Sequence, residues 1–80
     1  MNLDDKVRAR IQTTPLGSEA RNTLRSILGE LLAKNACHKG DTFLRDWIRA
    51  NDDNRWRFRR DEKELERLDE ETKILKSLLE

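Results

Sequence analysis

The chain has 80 residues, 35% apolar and 41% charged, and its 17 Lys/Arg against 16 Asp/Glu leave a net charge of +1. That length holds one small domain burying only about 60% of its unfolded surface, and the near-balanced charge by itself favours neither nucleic acid nor membrane as a partner. One Cys excludes an intrachain disulfide, one Cys with one His excludes a Cys/His metal box, no apolar run approaches a membrane span, and the lack of Tyr with few Gly and Pro favours helices over strands.

Leu3, Val7 and Ile11 recur every fourth residue and predict a first helix over 2–13. Asn2 is placed to cap it, and Asp4 and Asp5 suit the positive end of its dipole. Thr13-Thr14-Pro15-Leu16-Gly17 ends it, because Pro15 pushes the preceding residue out of the α region. Ser18 is a strong N-cap for a second helix over 18–37, the clearest amphipathic segment and the central element. Its stripe is Ala20, Leu24, Ile27, Leu28 and Leu31, widened by Leu32, and Gly40 is suited to the left-handed residue that terminates it. Gly29 costs about 1 kcal/mol inside that helix relative to Ala; a close helix–helix approach is the expected compensation.

A third helix over 41–60 is capped by Asp41 or Thr42 and shows Phe43, Leu44, Trp47 and Ile48 on one face, continuing through Asn51 and Arg55 to Phe58. Trp47 and Phe58 are expected in the core, with Trp56 a candidate surface ring. The polar stretch Asn51-Asp52-Asp53-Asn54 is crossed as helix, supported by an Asp53–Arg57 pair. Asp61-Glu62-Lys63-Glu64 has capping-box spacing and opens a fourth helix over 62–79. There Leu65, Leu68, Thr72, Leu75 and Leu79 follow one seam, broadened by Ile74 and Leu78. Like charges at Glu62–Glu66, Glu66–Glu70 and Lys63–Arg67 leave its first half dependent on packing. The fold class is therefore all-α: one domain over 1–80, a compact four-helix antiparallel bundle-like arrangement.

The densest chemistry is Arg55-Trp56-Arg57-Phe58-Arg59-Arg60, with four guanidinium groups and two rings in six residues. Arg pairs with phosphate through a planar fork and stacks on bases, and aromatic rings give stacking platforms, so this is what an RNA-contacting surface needs. The competing structural reading pairs the same arginines with the acids of 61–71, which otherwise form a solvated face. A second basic set, Arg8, Arg10, Arg21 and Arg25, lies on the first two helices and would converge if they pack as a hairpin. Cys37-His38 lacks the orienting group and pocket that a nucleophilic pair needs. No catalytic residue, metal ligand or cofactor is expected.

Two segments resemble the helical tail domain of the GatB/YqeY family. Arg21-Asn22-Thr23-Leu24-Arg25-Ser26-Ile27-Leu28-Gly29-Glu30-Leu31 is similar to the family's "(L/I)R…L" helix, and Glu71-Thr72-Lys73-Ile74-Leu75-Lys76-Ser77-Leu78-Leu79 to its "E…IL…LP" helix end. The order of helices fits over nearly the whole chain. The resemblance implies a tail domain that contacts the outer body of tRNA while a separate domain performs amidation. It also implies small cytosolic stand-alone relatives with amidotransferase-like or tRNA-associated activity. The chain stops at Glu80, where the family's Pro would fall, so the expectation is its N-terminal helical part, with a C-terminal helical subdomain as a missing partner. The expected function is a non-catalytic, cytoplasmic, tRNA-directed module using Arg55, Trp56, Arg57, Arg59 and Arg60, with Arg21 and Arg25 secondary. The alternative is a helical protein–protein adaptor; neither membrane nor metal is an expected partner.

Overall fold

The computed structural model describes residues 2–80 as four helices, α1 (Leu3–Thr13), α2 (Glu19–Ala33), α3 (Gly40–Arg57) and α4 (Glu62–Leu78). The fold is all-α, with no strand among the described residues. No helix among them is long and apolar enough to cross a membrane. The chain divides between Gly40 and Asp41 into two units, each built on a helix pair.

In the first unit α1 and α2 run antiparallel. At one end the Leu3 amide donates to the Cys37 carbonyl at 3.4 Å; at the other the Arg21 guanidinium donates to the Thr14 carbonyl at 3.3 Å. Leu3, Val7, Leu24, Ile27, Leu31 and Ala36 are buried. The Ser18 hydroxyl caps α2 by accepting from the Arg21 amide at 3.2 Å, whereas the Asn2 side chain makes no cap bond on α1. The α2 stripe is narrower than its spacing suggests, since Ala20 and Leu32 are exposed.

Helix α2 also stops four residues early, at Ala33. Asn35, at φ 51°, takes the left-handed position expected of Gly40. The Ala36 amide reaches back to the Leu31 carbonyl at 2.9 Å and the Asn35 amide to Leu32 at 3.3 Å. These two bonds are a Schellman motif, and buried Ala36 supplies its apolar contact position. Gly40 does adopt φ 46°, but as the first residue of α3, so Asp41 and Thr42, expected to cap that helix, lie within its first turn instead. The close approach expected at Gly29 is not there, because a Cβ built on it meets nothing within 4 Å.

The second unit pairs α3 with α4, also antiparallel: Trp47 bonds Glu71, and two turns later Arg55 bonds Asp69. Leu44, Leu68, Leu75 and Leu78 are fully or nearly fully buried, and with them the polar Asn51, which is 4% exposed. Helix α3 crosses Asn51–Asn54 unbroken but ends at Arg57, before the expected residue 60. Asp61 caps α4, its Oδ1 accepting from the Glu64 amide at 3.2 Å. The Glu64 carboxylate turns to Arg67 and does not return to the cap, so only half of the capping box forms.

Candidate nucleic-acid interface

Helix α3 delivers Arg55, Trp56 and Arg57 from its last turn, where cations suit the negative end of the dipole. Phe58, Arg59 and Arg60 form the turn into α4. The Phe58 amide still bonds the Asn54 carbonyl at 2.8 Å, and the Asp61 amide bonds the Phe58 carbonyl at 2.9 Å. All six residues of the run are exposed. Phe58, expected in the core, is 40% exposed. The helix ends one residue before it, so the apolar stripe is not carried to its side chain.

The four arginines divide into three environments. Arg55 pairs with Asp69 of α4, Nε to Oδ1 at 2.8 Å and Nη2 to Oδ2 at 3.5 Å. Both side chains are more than half exposed, which places the pair in the class worth about 0–1 kcal/mol. Arg59 lies over the Trp56 ring, 4.7 Å from its centroid, and donates to the Trp56 carbonyl at 3.3 Å. Arg57 and Arg60 make no ion pair or side-chain hydrogen bond with any described residue, so the expected Asp53–Arg57 pair is absent. Trp56 is 72% exposed and is a surface ring.

The second basic set belongs to the other unit and is largely committed there. Arg21 ties the α1–α2 loop through Thr14, and its Nε is buried without a partner. Arg8 lies 3.9 Å from Asp4. Arg10 lies in the last turn of α1, its carbonyl accepting from the Thr13 and Thr14 hydroxyls at 3.1 and 2.6 Å. Arg25 is exposed, with no ion pair to a described residue.

Sequence reasoning missed the polar cluster that holds α3 to α4. One oxygen of Glu71, Oε1, accepts from the Trp47 indole at 2.7 Å and from the Asn51 amide at 3.1 Å. The same Asn51 nitrogen donates to the Thr72 hydroxyl at 3.2 Å. Trp47, expected in the core, is therefore half-buried with its N–H satisfied by a carboxylate, and meets Phe43 edge-on at 5.7 Å. The second Glu71 oxygen accepts from Arg67 at 3.4 Å. Arg67 also binds Glu64 at 2.5 Å, which holds the Glu64 carboxyl below its usual range and raises Arg67 further.

Two open grooves flank the run. One of about 430 Å³ is lined by residues 57–61. The other, about 510 Å³, is lined by Asp52, Arg55, Trp56, Arg59 and Leu65. Asp52 stands one helical turn before Trp56, on the same face, and its carboxylate makes no ion pair or hydrogen bond with any described residue. No family model, curated protein or solved structure matches this chain. The GatB/YqeY likeness therefore stands on the quoted sequence motifs alone.

Proposed function

We propose that this chain is a non-catalytic helical module that contacts RNA, with tRNA the RNA that its resemblance to GatB/YqeY tail domains implies. One observation carries the reading: Arg57 and Arg60 lack acidic partners beside the exposed Trp56–Arg59 stack. A guanidinium with no internal partner is free to pair with phosphate through its planar fork. An exposed indole offers a face on which a base can stack.

With the two unpartnered guanidinium groups, Arg57 and Arg60, on phosphates, the slope of log affinity against log salt is about −1.4 to −1.8. Affinity for tRNA should then fall roughly 7- to 12-fold between about 50 and 200 mM salt. The double substitution Arg57→Glu/Arg59→Glu should abolish binding and leave the far-ultraviolet circular dichroism unchanged. Undetectable binding at low salt, or binding indifferent to the charge reversal in a folded protein, rejects RNA contact at this site. A concentration-dependent complex with another protein, unresponsive to RNA, is the outcome expected of an adaptor.

A further inference from the structure

The groove beside Trp56 holds a feature that phosphate binding does not explain. Asp52 is a carboxylate without a partner, and it shares the groove with Arg55, Trp56, Arg59 and Leu65. A negative charge repels a phosphate at that position. It suits a ligand that is an aromatic plate with N–H donors on its edge, because a carboxylate only accepts hydrogen bonds. We infer that this groove takes one unpaired guanine base, stacked on Trp56 with its Watson–Crick edge on Asp52; the inference rests on the RNA reading above.

The choice among bases follows from donor patterns. Guanine alone presents two adjacent donors on its Watson–Crick edge, N1–H and the N2 amino group, which match the two oxygens of one carboxylate. Adenine and cytosine set a single amino donor beside an acceptor, which would face the second oxygen. Uracil sets its one N–H between two carbonyls. In a duplex this edge is occupied by pairing, so the base must come from a loop, bulge or single strand, where bases splay out and stack on aromatic side chains. Arg55 is held by Asp69 at 2.8 Å, and Arg59 lies over the indole at 4.7 Å. The groove is therefore left with one uncommitted acceptor next to one exposed ring. Its volume, about 510 Å³, falls within the roughly 300–1,000 Å³ of small-ligand sites.

The test is fluorescence anisotropy with labelled oligouridines of about ten nucleotides, a length within the span of single-strand binding sites. The central base is uracil, adenine, cytosine or guanine. Wild type should bind the guanine oligonucleotide about five- to tenfold more tightly than the other three, at the low end of bidentate base contacts because Asp52 is exposed. Asp52→Asn should bind all four alike, and Trp56→Ala should weaken all four together. Equal wild-type affinities, or a guanine preference that persists in Asp52→Asn, overturn the guanine site while leaving RNA contact standing. No binding of any oligonucleotide or of tRNA at low salt overturns both.

Discussion

Removing the Glu71 carboxylate should be among the most damaging single changes available in the second unit, although the residue lies in a helix that reads as solvated. Glu71→Ala deletes the acceptor of the Trp47 indole at 2.7 Å and of the Asn51 amide at 3.1 Å. Hydrogen bonds to a charged group are worth about 1.5–3 kcal/mol each. The Glu71 side chain is 16% exposed, so water can partly replace it, and the lower half of that range applies. The exposed Arg67 contact adds about 0–1 kcal/mol. The expected cost is about 3–5.5 kcal/mol, against a total near 4–12 kcal/mol for 80 residues. Since 1 kcal/mol moves the midpoint by about 4–8 °C in a domain this small, the melting temperature should fall by roughly 12–44 °C. Glu71→Gln keeps a carbonyl acceptor and should cost only about 1–2 kcal/mol. Urea unfolding followed by Trp47 fluorescence, in a Trp56→Phe background, reads this unit directly. A double-mutant cycle with Asn51→Ala should give a coupling of about 1–2 kcal/mol. A cost for Glu71→Ala below about 1 kcal/mol, or additivity with Asn51→Ala within about 0.5 kcal/mol, would refute the role of the cluster.

Gly29→Ala should stabilise the chain by about 0.5–1 kcal/mol, because the added methyl meets nothing within 4 Å and helix propensity alone decides the sign; a lowered melting temperature would contradict this. The Glu64–Arg67 pair should give the acid side of the stability curve a recognisable form. The hydrogen bond from Arg67 lowers the folded Glu64 value, so its stabilisation is fully present above the ordinary carboxylate value and is lost as pH falls through the lowered one. Arg67 is raised, so its share would be lost only at strongly alkaline pH. The difference in melting temperature between wild type and Arg67→Ala should therefore be constant near neutrality and shrink on acidification. A difference that grows on acidification would reverse the assignment.

The four helices are legible because each carries an apolar stripe at helical period and each start offers a candidate cap; Ser18 and Asp61 cap as their spacing suggests, whereas Asn2 makes no cap bond and α3 starts ahead of Asp41. The end of α2 is not legible in the same way. Asn35 and Gly40 can both adopt positive φ, and only the buried Ala36 decides which one closes the helix. Asn51 resembles a break in the α3 stripe because its partners lie 20 and 21 residues away. A signal was nevertheless present. Asn51 follows Leu44 and Trp47 at seven and four residues, and Thr72 sits between Leu68 and Leu75 on the α4 seam. Two polar residues at core positions of consecutive helices are each other's natural partners, since a buried amide needs an acceptor.

The same pairings explain why an acid-rich helix next to four arginines leaves two of them unmatched. The acids of α4 are not a uniform neutralising face. Asp61 satisfies the helix's own amide, Glu64 holds Arg67, Glu71 serves Trp47 and Asn51, and Asp69 takes Arg55 alone. The Glu71 and Asp69 contacts join α3 to α4, those of Asp61 and Glu64 lie at the start of α4 itself, and none reaches Arg57 or Arg60. A net charge of +1 thus conceals a local imbalance: Glu62, Glu66 and Glu70 of α4 make no ion pair with any described residue, the other acids bond elsewhere, and the turn after α3 keeps Arg57 and Arg60 exposed. Charge reversal at Arg57 should consequently leave stability within about 0.5 kcal/mol of wild type, as expected for a surface position without partners, whereas Asp69→Ala should release Arg55 and make the run more basic still.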